Sequence, residues 1–342
     1  MPQRYLFNMN EKKMSDIKIC ELTNESVPKF PKRKRDSHKG DYGRVLIIGG
    51  SFGMSGAVAL AGRAAICTGS GLVKLAVPER ILPMTAGYSP ELMTVPLRQT
   101  RSGKIAFDAY SQIMPLIDEA DVIAIGPGLG RSGGLDALLL RLNREVKKPM
   151  LIDADGLNAL ASYGFDRMAA SFTEVTAAGA WRILTPHPGE FARLCHRGYS
   201  EKIPHDTPGR IAAACDFLTR CCDKTNVASE TSGGVVLVLK GSETIVTCNK
   251  DMPRQQAFIN TSGNPGMATG GSGDVLSGII ASLIGQRFSP FDAAKLGVYL
   301  HGRTADLAHY ESRIPHESII ASTLVDHIVA AIRELGRENN AI

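Results

Sequence analysis

Short apolar runs that stop abruptly at glycine, proline or acidic residues set the rhythm of this chain. GRVLIIGG (43–50), LVKLAVPE (72–79), DVIAIGPG (121–128), PMLIDADG (149–156), WRILTPHPGE (181–190) and VVLVLKG (235–241) lack strict polar alternation. Such runs predict strands buried on both faces. TIVTCN (244–249) reads as the neighbour of the last of them. Between them, SGAVALAGRAAICTG (55–69) is small and apolar throughout and predicts a closely packed helix. LDALLLRLNR (135–144), a stretch from Phe191, the region 207–221, VLSGIIASLIG (275–285), 293–310 and 320–335 also read as helices. Residues 84–104, with Pro90 and Pro96, read as loop and edge strand.

Strands separated by helices predict a mostly parallel sheet covered on both faces. In such folds ligands sit beyond the carboxyl ends of the strands. Gly49, Gly126, Asp153, His187, Lys240 and Asp274 all fall there. Residues 1–40 are polar and read as an extended lead-in, which leaves 41–342 as a single domain.

Composition adds little to that picture. Of 342 residues, 44% are hydrophobic and 21% charged, within the globular range. The net charge of +5 gathers in one place, KFPKRKRDSHK (29–39), which reads as a solvated basic arm. The 20 aromatics do not interleave with basic residues, which argues against single-strand nucleic-acid binding. Seven scattered cysteines, including Cys221 and Cys222, form no CxxC and fit a reducing compartment better than a disulfide or zinc framework. With neither a secretory leader nor a membrane-length apolar run, the chain is expected in the cytoplasm.

The candidate chemistry lies in the glycine turns. NTSGNPGMATGGSGDVLSG (260–278) holds six glycines and one acid, Asp274, where a helix begins. Glycine removes Cβ atoms and lets backbone N–H groups converge on an anion. A helix N-terminus adds unpaired donors. Gly270 to Gly273 thus form a candidate phosphate cradle without the lysine of a P-loop. Asp274 beside it suits a general base for a hydroxyl attacking a phosphoryl group, the alternative being that it merely caps the helix. GGSFGMSGA (49–57) and GPGLG (126–130) are candidate substrate loops, or turns that let elements pack closely. Asp153 and Asp155 could reach a magnesium-bound phosphate, with Asn158 as a polar neighbour, or serve as cap and loop carboxylates. His187, between two prolines with Glu190 following, is a candidate for substrate recognition. KGSET (240–244) offers Lys240 and Thr244 to a nucleotide, or is simply a hairpin turn. His301 reads as a packing residue or as one that backs the site. No Ser-His-Asp set and no GxSxG elbow is present.

In order and wording these segments, from KRKRDSHKGDYGRVLIIGGSFGMSGAVALAG (32–62) through DADGLNAL (153–160) and LTPHPGEFARL (184–194) to NPGMATGGSGDVLSGIIASLIGQ (264–286), resemble the ADP- or ATP-dependent NAD(P)H-hydrate dehydratases of the ribokinase-like superfamily. The resemblance spans about residues 32–335. It implies a three-layer α/β/α sandwich and repair of the S epimers of hydrated NADH and NADPH. Phosphorylation of the C6 hydroxyl by ADP, with ATP as the alternative, would be followed by loss of phosphate, with magnesium as the expected metal; a small-molecule kinase of the same fold is the alternative reading. Carried over by position, Asp274 is the base and a substrate contact, and Ala57, Gly128 and His187 are further substrate contacts. Lys240, Gly241, Ser242, Glu243, Thr244 and Gly273 would bind the AMP portion. Many relatives carry an epimerase domain in front. About 40 residues are too few for one, so a separate epimerase is the expected functional partner, and a homotetramer the expected assembly. The loop reads GGSGD where many relatives have threonine before GD, and Ser272 keeps the hydroxyl.

Overall fold

The structure is a computed structural model that describes residues 17–195, 203–221, 233–250 and 256–337. Cys222 and the first sixteen residues of the lead-in lie outside the described residues. Ten strands form one sheet: β1 (Lys18–Glu21), β2 (Arg44–Ile48), β3 (Leu72–Pro78), β4 (Met93–Leu97), β5 (Val122–Ile125), β6 (Met150–Ile152), β7 (Trp181–Leu184), β8 (Gly234–Leu239), β9 (Thr244–Cys248) and β10 (Gln256–Asn260). Their spatial order is β1-β10-β9-β8-β7-β6-β5-β2-β3-β4. Every pairing is parallel except those of β9 with β8 and β10.

Alternate residues of one strand serve two cores, as the two-residue repeat of a strand requires. Val45 and Ile47 point into one core, with helices α1 (Ser55–Cys67), α9 (Ser272–Gly285), α10 (Pro290–Tyr310) and α11 (Ala321–Arg337). Leu46 and Ile48 point into the other. That face carries α3 (Tyr110–Glu119), α4 (Gly133–Glu145), α5 (Asp155–Ala161), α6 (Phe165–Ala177), α7 (Pro188–Leu194) and α8 (Thr207–Cys221). A short helix, α2 (Leu82–Ala86), follows β3. The result is the expected three-layer sandwich. Close packing of the alanine-rich α1 also holds: a Cβ on Gly278 of α9 would stand 2.9 Å from Ala64 Cβ.

The lead-in departs from its reading as an arm. Residues 18–21 are an edge strand hydrogen-bonded to β10, and Leu22 and Val27 are buried in the first core. Apolar residues in KICEL and at Val27 give this segment surface to bury, despite its polar surroundings. Arg33 of the basic run donates to Gly69 O at 2.6 Å and lies over the Tyr42 ring, so part of that run is docked on the domain. Strand β10 and helices α3 and α6 have no counterpart in the sequence reading. At the opposite edge, β4 carries Pro96, where a missing N–H costs no internal pairing.

Candidate active site

Gly49, Gly126, Asp153, His187 and Lys240 all follow the carboxyl ends of neighbouring strands, and α9 brings Asp274 to the same end. The β6–α5 turn does the first part of the positioning. Ala154 is held at φ 49°, a conformation that strains a side-chain-bearing residue. It directs Asp153 and Asp155 to different partners. Asp153, 1% exposed, accepts from Lys240 Nζ at 2.9 Å and from Ser277 Oγ at 2.7 Å. Asp155 accepts from Gly130 N at 2.8 Å and tethers the GPGLG loop.

Helix α9 opens at Gly271, φ 90°, and no side chain caps its first turn. A helix entry without a side-chain cap presents N–H donors and the positive end of the dipole to any anion that approaches. A Cβ on Gly271 would meet Leu60 Cδ1 at 2.7 Å, so the glycine is required by packing as well as by backbone conformation. A Cβ on Gly273 would meet Lys240 Nζ at 3.2 Å. The missing side chain lets the ammonium stand against the helix entry.

Beside this entry lies a cavity of ≈ 730 Å³. His187, Lys240, Gly241, Ser242, Thr244 and Gly273 all line it, so six of the residues singled out from the sequence share one wall system. Met267, Leu276 and Val298 make its apolar side. Glu243 is not among the lining residues. Its carboxylate accepts from Thr207 Oγ1. The Thr244 hydroxyl is spent inside the turn, donating to Gly241 O at 3.1 Å.

Ala57 and Gly128 lie outside that cavity but against each other. A Cβ on Gly128 would come within 3.0 Å of Ala57 Cβ. Asp274 joins the two sides. Gly273, next to it, lines the cavity, while Asp155, held by the GPGLG loop, is among the charges acting on it from the Gly128 side. Burial and then Asp153 push the Asp274 carboxyl up to about 7, with Asp155 and Glu190 adding to the rise and Lys240 opposing it. A carboxyl near neutrality is suited to accept a proton in one step and release it in the next.

Burial alone would lower the Lys240 ammonium, but Asp153, Glu190 and Asp274 outweigh it and hold the charge in place. Burial raises Glu190. His187 is a helix cap first: its Nδ1 accepts from Gly189 N at 3.0 Å and its backbone N–H donates to Glu190 Oε2 at 2.8 Å. Burial and Lys240 lower its ring pKa, so it stays neutral and its Nε2 carries the proton. His301, read from sequence as packing or as backing the site, is buried and lines the cavity, with Nε2 3.3 Å from Ser272 Oγ. Burial, with Lys240, drives it down to about 4.

Two residues of this region are not among those singled out from the sequence. Ser277 lies three positions beyond Asp274, so helical spacing places it beside the acid. Arg210 of α8 donates to Leu239 O, Lys240 O and Glu243 O and thereby clamps the KGSET turn from beneath. Nothing in the periodicity of α8 marks it. The role considered for Asp153 toward a metal-bound phosphate would have to share oxygens that already accept from Lys240 and Ser277. Among the described residues no group of three His, Cys, Asp or Glu side chains is placed to hold a metal ion, and no helix is long and apolar enough to cross a membrane.

A family model described as NAD(P)H-hydrate dehydratase matches residues 45–328. A bifunctional NAD(P)H-hydrate repair enzyme from Moorella thermoacetica is 40% identical over 313 residues, covering 92% of this chain and 53% of the relative. The enzyme of the same name from Escherichia coli is 38% identical over 294 residues, covering 85% and 48%. The chain thus spans about half the length of the curated relatives it matches. Among solved structures, a ribokinase-like protein from Enterococcus faecalis aligns with a TM-score of 0.68 at 25% identity, over 93% of this chain and 96% of that one. An ADP/ATP-dependent NAD(P)H-hydrate dehydratase from Bacillus subtilis, co-crystallised with ATP and Mg2+, aligns with a TM-score of 0.65 at 25% identity, over 92% and 98%.

Proposed function

The chain belongs to the NAD(P)H-hydrate dehydratase family, and from that premise we propose that it dehydrates the S epimers of hydrated NADH and NADPH at the expense of ADP, with ATP as the alternative co-substrate. The observation that carries this reading is the pairing at the α9 entry. An uncapped helix N-terminus, suited to receive a phosphate, opens beside the ≈ 730 Å³ cavity, and Asp274, pushed up to about 7 and so suited to act as the base, lies in its first turn.

Hydroxide is a poor leaving group and phosphate a good one, so a phosphate-transfer site serves a dehydration. Asp274 takes the proton of the C6 hydroxyl as that oxygen bonds to the terminal phosphorus. The bond from phosphorus to the bridging oxygen breaks and AMP leaves, or ADP when ATP is used. The lone pair of the ring nitrogen then expels the C6 oxygen with its phosphate, and loss of a proton from C5 restores the double bond. The first-turn N–H groups of α9 and the Lys240 ammonium face the charge that develops on the transferred group. The cavity takes the nucleotide against the KGSET turn and Met267, Leu276 and Val298. Ala57, Gly128 and the Nε2–H of His187 contact the hydrated dinucleotide. Magnesium, which keeps most of its own waters, would enter with the nucleotide phosphates and not through a cage of protein carboxylates.

The test is direct. Purified protein is incubated with S-NADHX, magnesium and either ADP or ATP, and the reduced-nicotinamide absorbance is followed. Nucleotide-dependent recovery of NADH is the expected result, and the faster nucleotide identifies the co-substrate. No recovery with either nucleotide overturns the reading.

A further inference from the structure

Lys240 has little freedom in this fold. Its ammonium donates to Asp153 Oδ1 at 2.9 Å, stands 3.9 Å from Glu190 Oε2, and fills the space a Cβ on Gly273 would enter. Asp153 is fixed in turn from its other oxygen, which accepts from Ser277 Oγ at 2.7 Å. Ser277 is fully buried on the helix that carries Asp274. One carboxylate therefore ties the end of β6, the end of β8 and the first turns of α9 together. A buried ion pair is a poor way to gain stability, since apolar side chains of similar volume do as well or better. Its place at the strand ends, against an uncapped helix entry, points to a use in the chemistry.

We infer that Asp153 and Ser277 are positioning residues for the proposed reaction: Asp153 pins the Lys240 ammonium beside the first turn of α9, Ser277 locks Asp153 to that same helix, and the assembly holds the balance of charge around Asp274. The inference rests on the reading of Asp274 as the base. The charges acting on Asp274 come from Asp153 after β6, Asp155 at the start of α5, Glu190 on α7 and Lys240 after β8. The two nearby histidines, His187 and His301, both have lowered ring pKa values and stay neutral. Three carboxylates thus raise the proton affinity of Asp274 and one ammonium opposes them, so the two members of the pair act on it with opposite sign. Each member of the pair therefore leaves its own mark on Asp274, and Ser277, which carries no charge, leaves none.

The test reads Asp274 itself, without substrate, so its failure is distinct from an absence of turnover. Protein labelled with 13C at the aspartate carboxyls is titrated by NMR, with Asp274→Asn assigning the resonance. Asp153→Asn should move the Asp274 midpoint down, and Lys240→Met should move it up, each by roughly one pH unit, the usual effect of a neighbouring charge. The double variant loses one charge of each sign and should return toward the wild-type midpoint. Should Asp153→Asn fail to fold, the upward movement in Lys240→Met remains a sufficient test. Ser277→Ala removes no charge, so its midpoint should stay near wild type. Its kcat should drop about tenfold with KM for the hydrate little changed, as loss of one buried hydrogen bond to a charged group implies. Midpoints that do not move, or that move in the same direction in the two single variants, overturn the inference. So does a Ser277→Ala enzyme that is less stable but keeps its kcat.

Discussion

Gly126 lies directly on the backbone of Asp153. A Cβ at Gly126 would stand 2.7 Å from the Asp153 carbonyl carbon, with the carbonyl oxygen closer still, and the glycine already sits at φ 132°. The ends of β5 and β6 therefore approach each other without a side chain between them, and this contact sets the height at which Asp153 meets Lys240. Gly126→Ala should lower unfolding stability by about 2 kcal/mol or more, from strain and overpacking together. Activity at low temperature should fall as well, because Asp153 is displaced. Gly133→Ala is the control: a Cβ there meets nothing within 4 Å at the start of α4, and the change should be neutral or slightly stabilising. Denaturant melts of the two variants decide the point.

The KGSET turn depends on a residue distant in sequence. Arg210 donates to three carbonyls of the turn and its base, and a Cβ on Gly241 would stand 2.8 Å from Arg210 Cζ. Arg210→Ala should leave those carbonyls unpaired and loosen the nucleotide wall. ADP affinity, measured by calorimetry, is expected to fall about tenfold, equivalent to one strong hydrogen bond. Arg210→Lys should not restore it, since a single ammonium cannot reproduce the planar fork.

The contrast between Asp274 and Arg210 explains what the sequence made legible. Asp274 follows a run of glycines at the start of a helix, and that local pattern carries its own chemistry. Strand ends are likewise local: each apolar run stops where its polar residue begins, which is how Asp153, His187 and Lys240 could be placed at one end of the sheet. Arg210 acts across the layer on a turn thirty residues away, and nothing near it records that contact. Glu243 shows the reverse case. It stands inside a recognisable segment, but its carboxylate turns to Thr207, and only the packing of α8 decides this. Lys18–Glu21 pairs with β10 because a sheet edge was available, a fact about the partner strand that four residues cannot show.

Arg182 supplies a prediction about stability alone. It is fully buried, and burial pushes its guanidinium down to about 9. Its donors reach Asn143 Oδ1, Asn143 O, Val146 O, Trp181 O and Lys148 O, so it closes the last turn of α4 onto β7. Arg182→Met would bury several carbonyls without donors and should cost about 3 kcal/mol in a denaturant melt. Arg182 lies at the amino end of β7, away from Lys240 and Asp274, so kcat per folded molecule should stay within about twofold of wild type, a change of under about 0.5 kcal/mol in the barrier.

Asp274 itself should carry opposite effects on activity and stability. Its folded-state carboxyl is raised to about 7 from an ordinary value of 3.8, chiefly by burial and Asp153. A raised carboxyl binds its proton more tightly in the folded protein than in the unfolded chain. Folding is then favoured where the group is protonated in both states, below about pH 4. That advantage is lost as pH rises toward about 7, and above it the full penalty of a buried charge remains. Asparagine resembles the neutral acid at every pH. Asp274→Asn should therefore match wild type in thermal stability near about pH 4 and exceed it by a few kcal/mol at about pH 8, since each tenfold change in proton affinity is worth about 1.4 kcal/mol. The same variant should bind ADP and yet lose turnover by about a thousandfold or more, the scale of a missing general base. Thermal melts at the two pH values, run beside the NADH-recovery assay, check both halves. A variant that gained stability only at low pH would reverse the sign of the buried-charge account, whatever its turnover.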